Sequence, residues 1–351
     1  MAASMKDVAR LAGVSIKTVS NVVNDYPFVS AETRSRVRAA LDTLDYRPNT
    51  SARGLRTGRT DLIALAIPAL GEPYFAEIAG LIVEAAERRG WTVLIDQTGG
   101  DRAREKLAAG GSRSNRIDGS ITSPLALTGE DVADLVRQRP MVLLGERFAH
   151  HTADHVAVDN VRAAQEATRH LIELGRRRIA FIGAQAQGHT GAVRLSGYRA
   201  AHLEAGQRPD PALIVRASPY RRAEGAAAMA QLLTAKEPPD AVFCANDLLA
   251  VGAVRILLSS GFRVPEDVAV VGFDDIEEAR FASPSLTSIS PDKREIAELS
   301  VELLCRRIRD GATGPPVDVV ARHFLQVRES TVGAAGATGI HGAVVTSGPP
   351  G

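Results

Sequence analysis

Between positions 15 and 21 the chain reads SIKTVSN, and Ser15, Ile16, Lys17, Thr18, Ser20 and Asn21 put hydroxyl, amide and ammonium groups within two helical turns of one another. Short polar and basic side chains at one end of a helix are the groups that hydrogen-bond to base edges and phosphates. The elements needed to hold them are written into the flanking residues. Ser4 is placed to cap a first helix, with Asp7 three residues on, and Val8, Ala9, Leu11 and Ala12 recur at helical spacing. Gly13 ends that helix and Ser15 caps the next, in which Val19, Val22 and Val23 mark the buried face and leave Ile16, Lys17, Ser20 and Asn21 on the opposite one. A third helix follows Ser30, with Val37, Ala40, Leu41 and Leu44 as its apolar stripe. Three such helices close a small core and offer the second one to a DNA major groove.

Charge supports that reading. Residues 1 to 60 carry ten Lys and Arg against five Asp and Glu, a net of +5. The other 291 residues carry 32 bases and 36 acids, a net of −4, so positive charge is polarised onto one end, where phosphate contact gives it a use.

The full length of 351 residues suits two or three compact units. No stretch approaches the ~18 apolar residues of a membrane span, and the N-terminus is polar without the apolar region of a secretion signal, so a cytoplasmic protein is expected. Cys244 and Cys305 are far apart in sequence and read as buried small hydrophobes rather than a disulfide or metal ligands. His150, His151 and His155 lack flanking Cys or acidic ligands and read as loop or strand-edge histidines.

After the third helix, DYRPNTSARGLRTGRT is a linker in which residues 51–56 are expected to form one short helix. From Asp61 the pattern alternates between apolar runs of strand length and amphipathic helices. LIALAIP, TVLID, GSITS, MVLLG, RIAFIG, ALIVR, AVFCAND and VAVVGFDD are the strands, with helices expected over 74–89, 160–174, 193–205, 221–233 and 248–260. That alternation predicts parallel βαβ units, divided into two doubly wound lobes with the chain changing lobe near Asp159. Within 102–116, Gly110, Gly111 and Ser112 should cut a helix short. The tail from 333 to 351, rich in Gly, Ala and Pro, reads as disordered. The enzyme class has little support: no G-x-G-x-x-G follows the first strand, no G-x-x-x-x-G-K-[ST] occurs, and no Ser, His and Asp set sits at a nucleophile elbow. No catalytic residue, metal or cofactor is assigned.

In order, the chain contains KDVARLAGVS, TVSNVVN, YRPNTSARGLRTG, YFAEI, VAVDNVRAAQEATRHLIELGRRRIAFIG, CANDLLAVGAVRILLSSGFRVPEDVAVVGFDDIEEARFASPSLTSI and LQVREST. From Met5 to about Thr331 it resembles bacterial transcription regulators of the lactose-repressor/galactose-repressor (LacI/GalR) type. The resemblance implies an α/β chain with an all-α helix-turn-helix headpiece over 1–48, a hinge helix and linker over 49–60, and a two-lobed periplasmic-binding-protein-like sensor over 61–332. It implies a homodimer on a near-palindromic operator, with a small effector between the lobes.

Residue by residue, the resemblance makes Ile16 and Lys17 the main base readers, with Ser15, Thr18, Ser20, Asn21 and Asn24 completing the DNA set. Lys17 can donate to guanine O6 or N7, and Ile16 can meet a thymine methyl. Many relatives carry arginine or histidine where Asn21 stands. Leu55, with Arg53 beside it, matches the hinge residue that wedges into the central minor groove, where kinking offsets the cost of unstacking. The effector set implied is Tyr74, Phe75, Thr190, Arg194, Tyr220, Asn246 and Asp274. Asp274 accepts paired bonds from vicinal hydroxyls, Arg194 donates a fork of them, and the aromatics stack on a sugar's apolar face. Purine-responsive relatives carry an arginine where this chain has Gly188, which favours a neutral sugar or glycoside and a repressor of carbohydrate-utilisation genes. Two alternatives stand beside it: a regulator answering to a purine or nucleoside, and a sugar-binding transport-type protein, which would have no use for residues 1–58.

Overall fold

The structure, a computed structural model, describes residues 3–23, 26–46, 59–111, 117–145, 152–185, 190–311 and 314–341. They form two compact units, residues 1–61 and 62–351.

The first unit is three helices, α1 (Met5–Ala12), α2 (Ile16–Val23) and α3 (Ala31–Thr43). At α1 the capping box is complete: Asp7 N donates to Ser4 Oγ at 3.4 Å and Ser4 N to Asp7 Oδ2 at 3.0 Å. Gly13 closes the helix at φ 64°, a left-handed conformation that glycine adopts without Cβ strain. Ser15 Oγ accepts from Thr18 N at 3.1 Å, and Ser30 Oγ from Thr33 N at 3.3 Å. Val8, Ala9, Ala12, Val19, Val22, Val37 and Ala40 are the core. Leu11 departs from its expected place in the stripe and is 53% exposed, because it lies off the face that Val8, Ala9 and Ala12 share. Asn24 and the linker segment with Arg53 and Leu55 lie outside the described residues.

The second unit holds two six-stranded sheets. In the first lobe β1 (Leu62–Ile67), β2 (Thr92–Gln97), β3 (Gly119–Thr122), β4 (Met141–Leu144), β5 (Asp154–Val158) and β11 (Asp318–Ala321) are ordered β11-β5-β4-β3-β1-β2, all parallel. Its helices are α4 (Pro73–Glu87), α5 (Arg102–Ala109), α6 (Gly129–Gln138) and α12 (Lys293–Asp310). In the second lobe β6 (Ile179–Ala184), β7 (Ile214–Arg216), β8 (Ala241–Cys244), β9 (Ala269–Phe273), β10 (Thr287–Pro291) and β12 (His323–Gln326) are ordered β12-β10-β9-β8-β6-β7. Only β12 runs antiparallel among these described strands. Its helices are α7 (Asn160–Glu173), α8 (Thr190–Glu204), α9 (Arg222–Leu233), α10 (Asp247–Ser259), α11 (Glu277–Phe281) and α13 (Glu329–His341). The interior strands, buried and apolar, are those of a doubly wound fold with helices on both faces, while the edge strands are partly exposed.

The chain passes from the first sheet to the second at Asp159, as the alternation predicted, but it also returns before α12 and leaves again between β11 and β12. Three crossings therefore join the lobes. Asp159 and Asp292 each cap the helix that follows, accepting from Arg162 N and Glu295 N at 3.0 Å. Arg322, at the third crossing, donates to Asp292 and Glu295 at 3.0 and 3.1 Å.

The expectation of disorder from 333 onward is corrected as far as His341. Helical backbone resumes after a break at Gly333 (φ 73°), in a stretch where alanines favour helix and Ala337 is buried. Cys244 and Cys305 are buried and unpaired. His155 sits within β5, an interior strand, rather than at a strand edge; its Nε2 is 3.1 Å from Gly145 O and its Nδ1 3.4 Å from Asp318. His150 and His151 lie outside the described residues. Among the described residues no helix is long and apolar enough to cross a membrane.

Candidate DNA-reading face and effector cleft

On α2, Ser15, Ile16 and Lys17 are exposed, while Thr18, Ser20 and Asn21 are half-buried. Val19 and Val22, at 0% and 3% exposure, seat the helix on its neighbours and so fix which side faces out. Ser15 Oγ and Thr18 Oγ1 are 2.9 Å apart, so the cap also positions the Thr18 hydroxyl.

In the second unit a cleft of about 1250 Å³ opens at the C-terminal ends of the strands of both sheets. Doubly wound sheets bind ligands at this end. Tyr74, Phe75, Thr190, Arg194, Tyr220, Asn246 and Asp274 all line it. Tyr74 and Phe75, in the first turn of α4, meet edge to face with centroids 5.3 Å apart. Arg194, on α8, is held from several sides. Its Nε donates to Asn160 Oδ1 at 2.9 Å, one terminal nitrogen donates to Ala245 O, and the other lies 3.6 Å from Asp274 Oδ1. Its guanidinium also lies over the Phe273 ring, 3.4 Å from the centroid. Asn160, the first residue after the Asp159 crossing, donates in turn to Val158 O at 3.2 Å.

Asp274 and Asp275 follow β9 with φ of 107° and 47°, values that L-residues seldom adopt. The chain holds them there through Asp274 N to Ile289 O at 2.8 Å and Asp275 N to Ser288 Oγ at 3.1 Å. This turn sends the two carboxylates to different partners. Asp275 is bonded by Arg328 at 2.7 Å and Arg280 at 3.2 Å, whereas Asp274 faces the cleft. Burial raises the Asp274 carboxyl to about 6, against the attraction of Arg194 and Lys293. Beneath it Asp247 is buried completely and raised well above the carboxylate range, first by burial and then by Asp274; Ser288 Oγ and Ile276 N donate to it at 2.7 and 2.9 Å.

Like Arg194, two more of the expected contacts have part of their capacity occupied. Asn246 caps α10, its Oδ1 accepting from Leu249 N at 3.0 Å, so its amide N–H groups are what it offers the cleft. Tyr220 donates its hydroxyl to Gly183 O at 2.6 Å, which leaves the ring face. Glu72, Asn160, Phe273 and Arg216 also line the cleft, beyond the residues expected from the sequence. Phe273 reads as the last core residue of an apolar strand, and Glu72 stands in a Gly-Glu-Pro turn that carries no helical or strand period. Among the described residues no group of three His, Cys, Asp or Glu side chains is placed to hold a metal ion.

The comparisons with known proteins agree with this arrangement. The sequence profile of bacterial regulatory proteins of the lacI family matches residues 4–49, and that of a periplasmic binding protein-like domain matches residues 168–331. The Ribose operon repressor of Haemophilus influenzae is 34% identical over 308 residues, 88% of this chain and 92% of that protein. A CelR–cellobiose complex is similar at a TM-score of 0.69 and 34% identity, covering 93% of this chain and 99% of that one. The lac repressor dimer bound to operator and the anti-inducer ONPF is similar at a TM-score of 0.83 and 28% identity, covering 94% and 99%. A helix-turn-helix with an exposed polar face on α2, a cleft between two lobes, and relatives matched over nearly their full length lead to one conclusion: the chain belongs to the LacI family and is a DNA-binding transcriptional regulator with a ligand-binding domain, not an enzyme.

Proposed function

We propose that the protein is a repressor of carbohydrate-utilisation genes, acting in the cytoplasm as a homodimer on a near-palindromic operator, with a small neutral sugar or glycoside in the cleft deciding whether it stays bound. The observation that carries the effector class is charge balance. The charged side chains lining the cleft, among the described residues, are Glu72, Asp274, Arg194 and Arg216, two of each sign. Arg194 is already opposed by Asp274 and bonded to Asn160 and Ala245 O, so it brings little spare positive charge to an anion. Hydroxyl donors for Asp274 and an apolar ring face for Tyr74, Phe75 and Tyr220 are what a saccharide supplies. The similarity to a CelR–cellobiose complex and to a ribose operon repressor points the same way. Gly188, where purine-responsive relatives have a cation, lies outside the described residues.

In this reading a ligand bonded to both lobes changes the angle between them, and that change reaches the hinge residues Arg53 and Leu55, whose order on DNA sets operator affinity. Such coupling needs a two-state element that both ligands bias. Two measurements on the full chain test it. In a thermal-shift screen over neutral sugars, one present at 100 times its Kd should stabilise the fold by about 2.7 kcal/mol. In fluorescence anisotropy against the gene's own upstream region, that sugar should change DNA affinity, and a chain lacking residues 1–58 should keep the thermal shift but lose the DNA. Full DNA affinity after that deletion would sink the headpiece assignment.

A further inference from the structure

The polar and charged residues first assigned to the effector, Thr190, Arg194, Asn246 and Asp274, all belong to the second lobe. Among the described lining residues of the first lobe, Glu72 carries the one charge. It stands at the N-cap of α4 in extended conformation (φ −93°, ψ 122°), yet its side chain makes no capping bond, and Pro73 follows with no N–H to offer. Its carboxylate has no hydrogen-bond or ion-pair partner among the described residues. Half-burial raises it above the usual carboxylate range, against the attraction of Arg221 on the second lobe, and its charge adds to the raising of Asp274. A partly desolvated carboxylate with unused lone pairs is unfavourable until a donor reaches it.

Resting on the sugar reading above, we propose that Glu72 is the first-lobe anchor of the effector, accepting hydroxyl bonds from one end of a ligand held at its other end by Asp274 and Arg194. The cleft, about 1250 Å³ against the roughly 300–1,000 Å³ usual for small-ligand pockets, has room for more than one sugar unit, so the effector proposed here is an oligosaccharide of at least two units. A ligand bonded to an acceptor on each lobe favours the closed arrangement by its differential contacts, so Glu72 turns binding into closure.

The test is titration calorimetry on the full chain with cellobiose, maltose and lactose, and with glucose and galactose as single-unit probes. For the disaccharide that binds the wild type best, Glu72→Ala should lose affinity about ten-fold or more, the usual effect of removing a bond to a charged group. Glu72→Gln, which keeps an acceptor oxygen, should lose less. Affinity for the single-unit probes should move less than two-fold in either variant, while Asp274→Ala should lose both kinds of sugar. Arg221→Gln should match the wild type. Unchanged disaccharide affinity in Glu72→Ala overturns the anchor, as does an equal loss in Arg221→Gln, which would make Glu72 a charge partner across the cleft. Wild-type binding of single units only overturns the two-unit size. Binding of no sugar at all removes the sugar reading itself, and the anchor with it.

Discussion

Asp274 is the acceptor proposed for the effector's hydroxyls, and burial has altered its acidity. Its carboxyl moves from an ordinary 3.8 to about 6 through burial, with Arg194 and Lys293 opposing the rise and Glu72 adding to it. A raised acid stays protonated in the folded chain while the unfolded chain ionises. Its contribution to stability is therefore full below pH 3.8 and is lost as pH climbs to about 6, by about 3 kcal/mol for a shift of this size. The difference in stability between wild type and Asp274→Asn, measured by urea unfolding at pH 4 and pH 7, should show that slope. Hydroxyl donors from a ligand favour the ionised form, so effector binding should release a proton near pH 6. Affinity should then be about ten-fold lower at pH 5 than at pH 7.5. Calorimetry in buffers of different ionisation enthalpy reads the proton directly, and a flat profile would mean that Asp274 does not accept from the ligand.

At the level of the elements, the close packing of α9 on α10 depends on two glycines. A Cβ at Gly225 would stand 2.1 Å from Leu249 O, and one at Gly252 2.0 Å from Arg222 O, both backbone atoms that cannot turn aside. Either alanine variant should cost ~2–3 kcal/mol in urea unfolding of the isolated sensor unit, despite alanine's better helix propensity. A gain in stability would show that the two helices are free to separate.

These glycines also mark the limit of what the sequence reveals. Ser4 with Asp7, Gly13 and Ser15 announce the headpiece helices because caps act over three residues, and the apolar runs from LIALAIP to VAVVGF announce parallel strands because burial on both faces leaves a continuous signature. The cleft positions of Arg194 and Asp274 were legible through motifs that stand in order along the chain. The second and third crossings were not, since β11 and β12 are short, partly exposed strands whose partners are more than thirty residues away. Glu72 escaped for a related reason: its meaning comes from the opposite lobe, and nothing local distinguishes an unused capping carboxylate from a turn residue.

The whole molecule separates the reading of DNA from the reading of ligand. Residues 1–61 and 62–351 form distinct compact units with their own cores, and the charge is divided accordingly, +5 over residues 1–60 against −4 over the rest. Operator affinity should therefore fall steeply with salt, with a slope of about −0.9 per phosphate neutralised, while the sensor unit alone should show no binding at any salt. Two headpiece variants divide that affinity into its parts. Lys17→Ala removes an exposed donor from the reading face, so it should relax discrimination at one base pair by about 1–3 kcal/mol. Leu55→Ala, at the hinge position proposed to wedge into the minor groove, removes no charge; affinity should drop at every salt concentration with the slope unchanged. Both should leave the sugar-induced thermal shift of the sensor as it is. Anisotropy titrations from 50 to 200 mM salt decide the matter: a changed slope for Leu55→Ala would mean that its loss disturbs the phosphate contacts, and the wedge would have to be abandoned.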